Sequence, residues 1–196
     1  MKILDAKTSR SHQGGPTYSI GNRIFRATWI IVWTAGASWT PPALHKWRRF
    51  LLRLFGAKVA PGAAIYGNVK VWYPPHLVVG RNAIIGPGAT IYNVETITLE
   101  DFAIVSQGAN LCSASHDVED MYFQTFAKPI TVGRRAWVAA EAFVGPGVSL
   151  GEGAILGARG CAFRDLPPWT IHGGNPARLI KHRSLRFDGD LPNAAE

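Results

Sequence analysis

Val132-Gly-Arg-Arg-Ala-Trp-Val138-Ala-Ala-Glu-Ala-Phe-Val144-Gly-Pro-Gly-Val-Ser-Leu150 carries a large aliphatic residue at every sixth position, with Ala or Val four residues after each of the first three. The same phase extends forward to Leu156 and Ala162. Backward it runs through Val59, Ile65 and Val71, then Val79, Ile85 and Ile91, then Leu99, Val105 and Leu111. Fourteen of these fifteen positions are Val, Ile or Leu, and twelve are followed four residues later by Ala, Ser, Gly or Val. In an extended segment side chains alternate faces, so a large residue and a small one four positions on both point inward, one filling a face and the other a corner. Three hexads therefore predict one triangular coil, and stacked coils bury a ladder that no single coil could bury.

The groups of three are separated by two residues (Leu77-Val78, then Ile97-Thr98), by fifteen (Asp117 to Thr131), and then by none. The expectation is an all-β parallel solenoid of about five coils over residues 59–166, with a loop at 117–131. A sandwich or barrel would repeat its turn signals every 8 to 12 residues or so. Handedness does not follow from the period, because about 98% of parallel crossovers are right-handed for reasons unrelated to it.

Ahead of the repeats, residues 1–58 hold ten Lys or Arg against one acid, Asp5, leaving eleven basic and twelve acidic residues for the rest of the chain. The net charge of +8 thus belongs to this segment. Ile24 to Trp39 reads as a Trp-rich helix. Leu44 to Phe55 reads as a second, with Leu44, Trp47, Leu51, Leu54 and Phe55 on an apolar stripe opposite Lys46, Arg48, Arg49 and Arg53. Pro41-Pro42 separates the two and keeps the uncharged run short of the roughly 20 apolar residues a membrane span needs. No secretory signal pattern is visible. The two cysteines, Cys112 and Cys161, have neither disulfide-framework nor metal-ligand spacing, which predicts a reducing, cytoplasmic setting and no metal.

Several stretches resemble the hexapeptide-repeat acyltransferases. Val105-Ser-Gln-Gly-Ala-Asn-Leu-Cys-Ser-Ala-Ser-His116-Asp117 is similar to the segment carrying the catalytic histidine in the galactoside, maltose and colanic acid acetyltransferase group. Ala136 to Val148 resembles the coil after the acceptor loop. Gly174-Asn-Pro-Ala-Arg178 resembles the closing segment that contacts coenzyme A. His45 to Lys58 points to the colanic acid, or exopolysaccharide, branch. The resemblance spans most of residues 20–183 and implies a left-handed β-helix, acetyl-coenzyme A as co-substrate, a homotrimer, and a sugar or lipid-linked oligosaccharide as acceptor. Residues 167–196 would be the coenzyme A-contacting segment and tail.

Within that resemblance His116 is the general base. A neutral imidazole, of reference pKa about 6.5, can take the proton of a sugar hydroxyl. Ser115 is read as inward, which turns His116 outward at the mouth of the loop. The resemblance also carries over Ala140 and Ala158 as backbone contacts to the pantetheine arm, Trp137 packing beside it, and Arg164, Arg178 and Lys181 meeting the phosphates. Asp117 and Asn93 are candidate substrate contacts. Asn93 is the nearest residue to an asparagine that related sugar acetyltransferases place one coil earlier, where this chain reads Ile85-Gly-Pro-Gly-Ala-Thr90. Ser115-His116-Asp117 is not a triad, since three consecutive residues in an extended chain cannot converge on one atom.

The tryptophans amid Lys and Arg fit either an interfacial helix at the inner membrane face or helices packed on the solenoid. Acetylation of free sugars or small amines is an alternative activity. A basic scaffold or nucleic-acid binder is the alternative class, disfavoured by the nearly neutral repeat region.

Overall fold

The computed structural model describes residues 1–185; the remainder of the expected tail, 186–196, lies outside the described residues. Each predicted coil is present as three short strands. The first coil comprises β1 (Lys58–Val59), β2 (Ala64–Ile65) and β3 (Lys70–Val71). The second has β4 (Leu77–Val79), β5 (Ile84–Ile85) and β6 (Thr90–Tyr92), and the third β7 (Ile97–Leu99), β8 (Ile104–Val105) and β9 (Asn110–Cys112). The chain then leaves the solenoid as an antiparallel ribbon, β10 (Ala114–His116) with β11 (Thr125–Ala127). It returns through β12 (Ile130–Val132), β13 (Trp137–Val138) and β14 (Phe143–Val144), then β15 (Ser149–Leu150), β16 (Ile155–Leu156) and β17 (Cys161–Ala162).

Strands equivalent in successive coils pair in parallel in register: Val59 with Val79, Val79 with Leu99, Leu99 with Val132, Val132 with Leu150. All fifteen hexad-leading residues are buried, none more than 6% exposed. The fifteen-residue insertion is absorbed without a shift of register because it leaves and re-enters at one corner.

The solenoid runs past the expected boundary at residue 166. Leu166 bridges to Leu150, and β18 (Thr170–Gly173) pairs with β16 as a partial sixth turn. It is closed by an antiparallel partner, β19 (Arg178–His182). Ser115 also departs from its expected place. The chain has already left the coil at Ser113, so Ala114 is the buried residue and Ser115 is exposed.

In the N-terminal segment, α1 (Ala6–Ser9) is followed by α2 (Ile20–Gly36) and α3 (His45–Leu54). α2 starts four residues earlier than the apolar pattern predicted because Ser19 caps it, its hydroxyl accepting from the Asn22 N–H. It ends where the Ala37 and Ser38 amides both turn back to the Trp33 carbonyl.

The orientation of α3 departs from the expectation in part, although Leu51 and Phe55 of the predicted stripe do pack inward. Arg48, Leu51 and Leu52 are buried, while Leu44, Trp47 and Leu54 from the predicted apolar stripe are exposed. The reason lies in the direction of the solenoid's hydrogen bonds. Amides of each coil donate to carbonyls of the next, as in Ala60 to Val79, Ala64 to Ala83, Tyr66 to Ile85, Lys70 to Ala89 and Trp72 to Ile91. The equivalent carbonyls of the first coil, on Val59, Ala63, Ile65, Val69 and Val71, have no preceding coil to satisfy them. Each receives a side-chain donor instead. Arg53 Nε donates to Val59 (2.7 Å), Arg49 to Ala63 (2.6 Å), Arg48 Nε to Ile65 (2.6 Å), Trp33 Nε1 to Val69 (2.9 Å) and Trp29 Nε1 to Val71 (2.7 Å). Buried carbonyls without donors are costly, so the basic face of α3 turns inward. The guanidinium of Arg48 also donates to the carbonyls of Thr40, Pro41 and Pro42. Three arginines and two tryptophans of the basic segment are thus an end cap.

Candidate active site

His116 ends β10, where the ribbon rises from the corner between the third and first faces. Its Nδ1 lies 2.8 Å from the carbonyl oxygen of Phe123 and 3.3 Å from the Thr125 hydroxyl. A carbonyl only accepts, so Nδ1 is the donor of this bond, and in the neutral imidazole the lone pair is then on Nε2. The imidazole also stacks on the Phe123 ring, with centroids 4.7 Å apart and planes 13° from parallel. Phe123 has φ +54°, a left-handed conformation uncommon for a bulky residue, and it closes a turn by donating its amide to Asp120. The group that orients the His116 imidazole is therefore a backbone carbonyl, which no residue-type pattern in the sequence could have revealed.

Asp117 does not contact His116. Its amide donates to Gln124 and its carboxylate accepts from the Glu119 amide, so it shapes the loop while its side chain stays exposed at the mouth. Asn93 is fully buried. Its Oδ1 accepts from the Tyr73 amide (3.0 Å) and its Nδ2 donates to the Tyr73 carbonyl (2.8 Å). In this structure the Asn93 amide ties two coils at a corner through its bonds to Tyr73.

The start of the basic N-terminal segment, expected to be helical over residues 1–58, packs against the ribbon through Leu4, Ala6 and His12. Gln124 is adjacent to Thr125, which pairs with His116, and alternation turns it to the opposite side. Its Oε1 accepts from the Ala6 amide (2.7 Å), and its Nε2 donates to the carbonyls of Leu4 (3.3 Å) and Thr125 (2.9 Å). His12 packs edge-on against Tyr122, their centroids 5.5 Å apart.

The residues carried over for coenzyme A fall into two groups. Trp137 lies half-exposed on the second face, its indole donating to the Ser106 hydroxyl (2.8 Å). Ala140 and Ala158 sit one coil apart at the next corner, joined by the Arg159 amide donating to the Ala140 carbonyl (2.9 Å). At the C-terminal end Arg164 and Arg178 share one cavity of about 390 Å³ with His172. Burial lowers the His172 pKa and favours its neutral form. Lys181 lies apart from this cavity, exposed on β19.

Between the Ala140 corner and the corner where His116 emerges stands the whole third face, about four residues of strand or roughly 13 Å. Within one copy His116 and this row thus stand at different corners. A cavity of about 600 Å³ between α2 and the third face is mostly apolar and does not include His116. Among the described residues there is no cluster of His, Cys, Asp and Glu able to hold a metal.

No family model matches the chain. It is 39% identical over 163 residues to the putative colanic acid biosynthesis acetyltransferase WcaF of Escherichia coli, covering 83% of this chain and 90% of the relative. To the galactoside O-acetyltransferase of the same organism it is 26% identical over 137 residues, 68% of each chain. Among solved structures, a galactoside acetyltransferase in complex with coenzyme A superposes with a TM-score of 0.78 at 22% identity, covering 93% and 92% of the two chains. A hexapeptide-repeat acetyltransferase from Vibrio cholerae complexed with acetyl coenzyme A gives 0.76 at 18% identity, covering 87% and 93%. These share the left-handed β-helix. The repeats, their register and the likeness to WcaF over most of both chains agree: this chain belongs to the hexapeptide-repeat acetyltransferases, in the colanic acid branch of the galactoside and maltose acetyltransferase group.

Proposed function

We propose that the protein transfers an acetyl group from acetyl-coenzyme A to a sugar hydroxyl of an exopolysaccharide or lipid-linked oligosaccharide precursor, with His116 as general base. The observation that supports this reading is the Nδ1 contact to the Phe123 carbonyl, which leaves Nε2 of the neutral ring free to accept a proton. Nε2 takes the hydroxyl proton as the sugar oxygen attacks the thioester carbonyl. The tetrahedral adduct then collapses, the carbon–sulfur bond breaks, and the coenzyme A thiolate recovers the proton from the imidazolium.

Trp137, Ala140 and Ala158 line the pantetheine arm, Arg164 and Arg178 meet the phosphates with Lys181 near them, and Asp117 contacts the acceptor at the loop mouth. Because the base and the coenzyme A row stand at different corners, the active site forms between neighbouring solenoids of a homotrimer, where a second wall also excludes water. A lipid-linked acceptor places the enzyme peripherally at the inner membrane face. Among the described residues no helix is long and apolar enough to cross a membrane.

The reading is tested by following coenzyme A release with acetyl-coenzyme A and a panel of nucleotide-linked, lipid-linked and free sugars. Preference for linked sugars is expected. Equal activity on free monosaccharides or small amines would replace it with a detoxifying role.

A further inference from the structure

We propose that the outward face of α2 and α3 is a docking surface for an anionic lipid bilayer, an inference that rests on the lipid-linked acceptor reading and names the surface serving it. On α2, Ile20, Ile24, Ala27, Ile31 and Ala35 recur at i, i+4, i+7, i+11 and i+15, a stripe opposite the buried Trp29 and Trp33. Ile20, Ile24 and Ile31 are each more than 60% exposed. On α3, Trp47 stacks on Phe50 with centroids 5.6 Å apart, and Leu54 follows one turn on, also exposed.

Two aromatic contacts join this patch to the end of the α2 stripe. The indole N–H of Trp39 donates to the Ala35 carbonyl (2.8 Å) and that of Trp47 to the Gly36 carbonyl (2.7 Å). With their donors committed, both exposed rings offer carbon surface outward. A monomeric surface seldom leaves so many large apolar side chains together without an occupant.

Charge selects the occupant. No Asp or Glu occurs between Asp5 and Glu95, a stretch with eleven Lys or Arg. Arg48 and Arg49 are turned into the end cap, whereas Arg23 and Lys46 are exposed beside the apolar stripes. A second copy meeting this face symmetrically would set cation against cation with no carboxylate from the segment to offset them. An anionic headgroup layer supplies the missing charge and accepts the isoleucines and tryptophans below it. Because the end cap withdraws those arginines, attachment depends mainly on apolar insertion, and salt weakens it only in part.

The test is co-sedimentation of the intact protein with neutral phosphatidylcholine vesicles and with vesicles containing phosphatidylglycerol, at low and high salt. The variants are Ile24→Ser with Ile31→Ser, and Arg23→Glu with Lys46→Glu, all at exposed positions. The wild type should bind anionic vesicles at least about tenfold better than neutral ones. The serine pair should reduce that binding by about tenfold or more at both salt concentrations, and the charge-reversed pair chiefly at low salt. Turnover on a water-soluble sugar acceptor should not change, so failure of the acceptor reading would show in the sugar panel and failure of this one in the pellet. Absence of wild-type binding, or wild-type binding by the serine pair, would overturn the proposal. So would a serine pair that changes the sedimenting mass in solution, which would assign the face to contacts between copies of the chain.

Discussion

The imidazole of His116 and the backbone carbonyl of Phe123 form a 2.8 Å hydrogen bond that settles which ring nitrogen carries the proton. Replacing His116 with Ala removes the group proposed to accept the hydroxyl proton. Turnover should fall by about 10² or more, as expected for loss of a general base, while coenzyme A affinity and the melting curve stay near wild type. A variant within a few fold of wild-type turnover would end the assignment.

Gln124 holds the back of the same ribbon against residues 4 to 6. Gln124→Ala should lower kcat by about three- to tenfold through looser placement of His116, with KM for acetyl-coenzyme A unchanged. The pH profile of kcat should keep its shape, because the base itself is intact. A change confined to KM would show that Gln124 serves binding instead.

Arg48 feeds four carbonyls from a single planar group. Arg48→Met should cost about 3 kcal/mol or more by chemical denaturation, since buried acceptors lose charged donors. Arg48→Lys should recover less than half of that, an ammonium being unable to reproduce the fork. Trp33→Phe, which strands only the Val69 carbonyl, should cost about 1 kcal/mol plus a small packing loss.

Asn93 separates a structural role from a substrate contact. Asn93→Ala should destabilise the protein by about 1–3 kcal/mol, because the Tyr73 amide and carbonyl lose their partners. Turnover per folded molecule should stay within about twofold. A large rise in KM for the acceptor with unchanged stability would return Asn93 to the substrate site.

Glu95 gives stability an acid-sensitive component. The Thr96 amide donates to its carboxylate and holds the pKa below the usual carboxylate value. A depressed folded pKa stabilises above the unfolded value, and the contribution is lost as pH falls through the folded one. Glu95→Gln should therefore be less stable than wild type at neutral pH. The two denaturation curves should converge as pH is lowered below about 4. A difference that persists undiminished in acid would contradict this.

The coils were legible because a six-residue period with alternating faces leaves each large aliphatic residue a single place to go. The fifteen leading residues from Val59 to Ala162 are buried as their spacing required. The departure of the chain after Leu111 and its return at Ile130 were equally visible as a break in that period. His116 could be singled out from its place at the break together with its resemblance to a known segment.

Only the tertiary structure decided how α3 sits and what orients His116. Amphipathic spacing ranks faces by hydrophobicity, but the neighbour of α3 is the open edge of a β-coil, where five unpaired carbonyls outrank apolar surface and draw Arg48, Arg49 and Arg53 inward. Phe123 acts on His116 through a carbonyl that every residue possesses, and Gln124 through backbone atoms more than a hundred residues away in sequence. Side-chain periodicity encodes burial along an element, whereas hydrogen bonds to the backbone are set by which elements meet. That is why the solenoid could be read from residue types, and the cap and the support of His116 could not.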